Sequence, residues 1–174
     1  VVVTSRRRDP RGDPGGEPGV ASDDARAARA VGLDSLARRD HSAAELRRKL
    51  IEKGYATSVA AHVVDRLCDE KLVDDRRYVE NFVSLRAARG QGPLRIRADL
   101  KKSGMEGELV EHVLEAYPDW LLQLRKAHQK KFGTRQLSDY ADRVRRARFL
   151  SYRGFTGGQI RMALGFDTDL DVDT

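Results

Sequence analysis

The sequence predicts an all-α protein of about three tandem three-helix repeats, set in an elongated array behind a disordered amino-terminal tail. Three observations predict it. Apolar residues recur at helical spacing from Ala25 onward, as in Leu46, Leu50 and Ile51, then Val59, Val63, Val64 and Leu67. No segment carries the strict two-residue alternation of a half-buried strand. Gly54, Gly104 and Gly154 fall 50 residues apart within segments that superpose.

Residues 1–24 (VVVTSRRRDPRGDPGGEPGVASDD) are rich in Gly, Pro, Arg and Asp and poor in anything that could be buried, which predicts a disordered leader. The first repeat spans 25–73. Its first helix is expected over Ala25 to Arg38, and Ser42 with Glu45 has capping-box spacing at the start of its second. That helix runs to Leu50, and Gly54 closes it in the left-handed conformation that a residue without a Cβ enters most cheaply. Tyr55 then folds back over the helix end before a third helix begins. In the second repeat, 74–117, Asp74 is placed to cap a helix over Asp75 to Arg89, and Val73 and Tyr78 have the spacing of a hydrophobic staple. Gly92-Pro93 opens the next helix with a proline where a missing N–H does no harm. The third repeat, 118–166, has a helix over Trp120 to Lys131 and a second capping box at Thr156 and Gln159. Across the repeats Leu50, Leu100 and Leu150 fall in register, as do Tyr55, Met105 and Phe155. Each module is too small to bury much apolar surface alone, so stacking on its neighbours is expected to stabilise it. Residues 167–174, with four aspartates, form an acidic tail expected to stay solvated.

The chain has 174 residues, a formal net charge of +6 and a pI near 9.7, which favours anionic partners. The charge is concentrated. Between Pro118 and Phe166 stand eleven lysines and arginines against three acidic residues. Arginine at this density suits phosphate oxygens or a carboxylate-lined groove; the alternative is a solvated helix face kept soluble by charge. Arg146 occupies the repeat position held by Leu46 and Ile96, so this module has exchanged an apolar position for a charge. Arg143, Arg145, Arg146, Arg148 and Arg153 are the candidate contact residues.

Catalytic and metal readings each meet a simpler alternative. Adjacent carboxylates at a helix start, such as Asp74-Asp75, serve as caps more readily than as an acid–base pair. His62 and His112 share a repeat position, which marks a structural slot, and no further ligand accompanies either at metal-binding spacing. Cys68, the single cysteine, excludes an intrachain disulfide and sits beside Leu67 as a small apolar filler. RGFTGG, with Gly154, Gly157 and Gly158, lacks both the Walker and the dinucleotide-binding spacing and reads as an inter-helix turn. The aromatics fall mostly at helical core spacing, so any nucleic-acid contact is expected to be electrostatic. No catalytic residue, metal or cofactor is expected, and the absence of a secretion signal or apolar span predicts a cytoplasmic protein.

The run LARRDHSAAELRRKLIEKGY, followed by VVDRLCDEKLVDDRRYVENFVSLRAARGQGPLRIRADLKKSGM, resembles the RecX family. The resemblance rests on Leu72, Val73, Asp74, Asp75, Tyr78, Phe82, Arg86, Gly92, Ile96, Leu100 and Gly104, and RRARFLSYRGFTGGQIRMAL is similar to that family's third repeat. It implies a non-enzymatic modulator of RecA that binds in the groove of the RecA–single-stranded DNA filament; the protein is expected to act as a monomer. Such a protein impedes RecA's ATPase and strand exchange, and so restrains recombination, DNA repair and the SOS response. The first two modules would supply shape and apolar contact, and the arginines electrostatic attachment to RecA or, nonspecifically, to DNA. The competing class is a helix-turn-helix-like transcription regulator, which three-helix units with a glycine turn superficially resemble.

Overall fold

The computed structural model describes residues 18–136 and 138–165. Nine helices form among them, in three consecutive groups of three. Module 1 contains α1 (Pro18–Arg38), α2 (Ala43–Glu52) and α3 (Thr57–Asp69). Module 2 contains α4 (Asp75–Ala88), α5 (Pro93–Lys102) and α6 (Glu108–Ala116), and module 3 contains α7 (Trp120–Phe132), α8 (Tyr140–Tyr152) and α9 (Gly157–Leu164). The first helix starts seven residues before the expected Ala25, with a proline at its first position, where the missing N–H breaks no helical hydrogen bond. Residues 1–17 of the expected leader and the acidic tail 167–174 lie outside the described residues.

The caps explain where the helices begin. Thr156 and Gln159 form the complete expected box: Thr156 Oγ1 accepts from the Gln159 amide and Gln159 Oε1 from the Thr156 amide. At α2 only half of the box forms. Ser42 Oγ accepts the Glu45 amide at 3.1 Å, but the Glu45 carboxylate turns to the guanidinium of Arg39 instead of its own helix start. A charged side chain has a better partner there than a backbone amide.

The glycine turns form as the repeat requires. Gly54, Gly104 and Gly154 have φ of 96°, 79° and 87°. In each turn the residue after the glycine donates its amide to the leucine carbonyl five residues back, and the glycine donates three residues back, the paired bonds of a Schellman motif. The third helix of module 1 ends the same way without a glycine: Lys71 takes the left-handed position at φ 59°.

Each module has its own core, centred on Leu46, Leu50, Val64 and Leu67 in module 1, on Val79, Val83, Ile96 and Leu100 in module 2, and on Leu124, Leu150 and Phe155 in module 3. The two residues at staple spacing belong to different cores, Val73 to module 1 and Tyr78 to module 2. Trp120 packs against the cores of modules 2 and 3 together, and its Nε1 donates to Leu114 O at 2.9 Å.

Neighbouring modules meet in one recurring way, with the start of the second helix of one module set against the glycine turn of the next. Between modules 1 and 2, Ser42 Oγ donates to Ser103 O at 3.3 Å, and a Cβ on Gly104 would stand 3.0 Å from that of Ala44. Fifty residues on, the contact is backbone to backbone: the Gly92 amide donates to Arg153 O at 2.8 Å and the Leu94 amide to Gly154 O at 3.0 Å. A Cβ on Gly92 would overlap the backbone of Gly154, and one on Gly154 the backbone of Arg95. Gly54 heads no such junction and has open space where a Cβ would be.

These differences rank the glycines. Gly154→Ala is expected to destabilise the protein by about 3 kcal/mol or more, because left-handed strain adds to a steric overlap. Gly54→Ala, with the strain alone, should cost only about 1 kcal/mol. Conversely, Lys71→Gly should stabilise by up to about 1 kcal/mol. Urea unfolding of the three variants checks the order.

Candidate contact surface on the third module

Helix α8 presents two faces of opposite character. Asp142, Arg146, Ala147 and Leu150 point inward, and Arg145 and Arg148 point to solvent. Arg143 and Arg153 lie half-buried between them. Four of the five candidate arginines thus reach the surface to some degree.

Arg146 does not, and its expected role as a contact residue is corrected. It is 2% exposed, the largest of the fully buried side chains. Its guanidinium pairs with Asp142 Oδ2 at 2.7 Å and donates to Arg135 O at 3.0 Å and Gln136 O at 3.2 Å, both in the segment between α7 and α8. It also lies 5.1 Å from the centre of the Phe132 ring. A charge at an apolar repeat position survives burial because five-donor guanidinium geometry finds a carboxylate one helical turn back and two loop carbonyls. Arg146 is the internal fastener of module 3. The hydrogen bond from Arg146, reinforced by Arg145, holds the Asp142 carboxyl at about 2 against the opposing effect of burial.

His128 stands beside this pair, with Nε2 3.3 Å from Arg146 Nη1. Arginine can only donate, so Nε2 accepts and the ring proton sits on Nδ1. Burial first, then the Arg146 charge, pushes the His128 pKa below its ordinary value.

On the other side of α8 lies a cleft of about 300 Å³ where module 2 meets module 3. Helix α4 ends in a Schellman turn at Gly90, whose left-handed backbone sets it directly against Ala127 of α7. That approach brings Arg89 over the lysines of α7: Lys126, Lys130 and Lys131 line the cleft with Arg89 and Arg153, and its lining contains no carboxylate. Arg153 lies over the Phe149 ring at 5.2 Å and donates to Arg89 O at 3.3 Å. The three lysines belong to the basic excess evident in the sequence, and their spacing on one helix was the available signal. Arg89 gave none, being 37 residues from Lys126 and in another module.

The motif residues of module 2 build the fold instead of a surface. Asp74 Oδ1 caps its own helix through the Arg77 amide, which holds the Asp74 carboxyl below its usual range. Asp75 reaches back to module 1 and accepts the Ala43 amide at 2.8 Å. Fifty residues after Ala43 stands Pro93, which has no amide to satisfy. Val73, Tyr78, Ile96 and Leu100 are buried, Arg86 lies over the half-buried Phe82 ring at 4.9 Å, Gly92 and Gly104 are junction residues, and Leu72 is exposed. His62 and His112 are exposed at matching positions of α3 and α6, and Cys68 packs at the edge of the module 1 core, where burial pushes its thiol up. Among the described residues no group of three or more His, Cys, Asp or Glu is placed to hold a metal, and no helix is long and apolar enough to cross a membrane.

Arg146→Leu should lower the melting temperature, since it leaves Asp142 with Arg145 alone and deprives two loop carbonyls of their donor. Asp142→Ser/Arg146→Leu, which restores the pattern of module 1, should recover much of the loss. For both Asp142 and His128 the folded pKa lies below the unfolded one, so the unfolded chain binds more protons and acid destabilises. The His128 contribution is complete above the ordinary histidine pKa and declines as pH falls below it. That of Asp142 is lost between 3.8 and about 2. Thermal melts from pH 7.5 to 5, with His128→Asn flattening the slope, check the histidine part.

Family models of RecX match all three modules: its first three-helix domain over residues 28–67, its second over 74–114 and its third over 121–164. The chain is 40% identical over 148 residues to a regulatory protein RecX of Halorhodospira halophila, covering 84% of this chain and 90% of that protein. It is 41% identical over 139 residues to one of Pseudomonas fluorescens, covering 79% and 90%. The crystal structure of RecX from Lactobacillus salivarius superposes with a TM-score of 0.72 at 20% identity, over 83% of this chain and 96% of that one, a likeness of fold. With all three domains matched in order and two-fifths of residues shared over most of the length, the chain belongs to the RecX family of regulatory proteins.

Proposed function

We propose that this protein is a non-enzymatic, cytoplasmic regulator of RecA that acts as a monomer, binds the RecA–single-stranded DNA filament, and inhibits its ATPase and strand exchange. In that role it restrains recombination and the SOS response. Its membership of the RecX family through all three domains carries the reading. The architecture supports it physically. A series of similar modules at a fixed offset suits a helical partner that repeats its own surface, because successive modules can meet successive subunits. Arg145 and Arg148, on the outer face of α8, supply charge for acidic RecA surface or DNA phosphate, and Arg143 and Arg153 contribute from the flank. Arg146 is not part of this surface.

RecA's ATP hydrolysis on single-stranded DNA, measured with and without the protein alongside co-pelleting with the filament, tests the proposal. Inhibition with retention at substoichiometric amounts is expected. Arg145→Glu/Arg148→Glu should weaken retention and flatten its salt dependence by roughly one to two charges' worth of slope. Retention on one preferred duplex sequence amid excess competitor, with no effect on RecA, would instead identify a transcription regulator.

A further inference from the structure

We propose that the cleft between modules 2 and 3 is a binding site for a phosphorylated nucleoside, either one unit of a nucleic-acid strand or a free nucleotide. Its chemistry has two halves. Lys126, Lys130, Lys131 and Arg89 surround it as exposed cations, and among the described residues none of the four forms an ion pair. Elsewhere on the same chain exposed arginines are commonly paired, as Arg38 is with Asp34 and Arg76 with Glu80. Lys126 and Lys130 are four residues apart on α7, a like-charge spacing that destabilises a helix unless an anion lies between them. Of the carbonyls that end α4, those of Ala87, Arg86 and Arg89 already accept from the Gly90 and Gln91 amides and Arg153 Nη1.

The second half is flat and apolar. Ala88, Ala127 and Phe149 line the same cleft, with the Arg153 guanidinium held over the Phe149 ring. A guanidinium fixed in this way offers a stacking plane for a base while the lysines take its phosphates. The volume of about 300 Å³ is on the scale of one nucleotide and too small for a folded partner. A simple basic patch would have the charge without the cavity. The site does not depend on RecA, so its test is run without RecA and fails or succeeds separately from the filament reading.

Fluorescence anisotropy with the full chain at about 50 mM salt tests it, using a labelled oligothymidylate of about 20 nucleotides and, in a second arm, a fluorescent ATP analogue. Lys126→Glu/Lys130→Glu is expected to weaken binding about ten-fold or more. Arg48→Glu/Lys53→Glu, the same charge change on module 1, should have a much smaller effect. Ala88→Trp, which fills the mouth of the cleft with charge unchanged, should weaken binding as well. Circular-dichroism melts confirm that each variant is folded. Binding of the oligonucleotide alone assigns the cleft to a strand, and binding of the ATP analogue assigns it to a free nucleotide. Equal weakening by the module 1 pair, unchanged affinity in Ala88→Trp, or no binding of either probe overturns the proposal.

Discussion

The contact between a helix start and the glycine turn of the next module is the constraint on which the array depends. Each turn must be left-handed to end its own helix, and at Gly104 and Gly154 it must also be bare enough for a neighbouring helix to approach. The two junctions reach this in different ways. Ser42 spans the first with a hydroxyl, whereas Gly92 removes its side chain and lets two amides reach the turn directly. Asp75 belongs to the same arrangement, since from module 2 it accepts the Ala43 amide at the start of α2. The separation of modules 2 and 3, and with it the width of the basic cleft, follows from this backbone contact and from Trp120 wedged between two cores.

Most of the helical framework was legible because its determinants are local. A leucine, a glycine four residues on and an apolar residue after it describe a complete helix end, and repetition of that pattern at a constant interval separates it from chance. The Thr156 box and the Asp74 cap were readable for the same reason. Features that join distant parts of the chain were not. Asp75 looked like part of its own helix start, although its partner Ala43 lies in another module. The cleft needs Arg89 beside α7, and nothing in the local sequence of either helix reports the other.

Arg146 shows a different limit. Its position in the repeat marked it as unusual, and outward exposure seemed the natural home for a charge. The signal for burial was nearby: Asp142, four residues earlier, lies on the same side of the helix, and a carboxylate at that spacing can accompany an arginine inward. At this one repeat position module 3 sets a buried ion pair beside its apolar core where modules 1 and 2 use leucine and isoleucine. The exchange also ties the segment between α7 and α8 to the core, which the shorter connections of the first two modules do not require.

The junctions give the series a direction, with one end that donates hydrogen bonds and one that accepts them. Among the described residues nothing lies against the accepting turn of module 1 at Gly54. At the opposite end, α8 begins at Tyr140, three residues ahead of the start seen in α2 and α5, so Asp142, the counterpart of Ser42 and Gly92, lies inside the helix. Head-to-tail growth needs matching ends on every copy. In module 3 the position of the donating end lies within α8, where the Asp142 carboxylate is turned to the buried Arg146, so this helix start is built differently from the two that dock on a glycine turn.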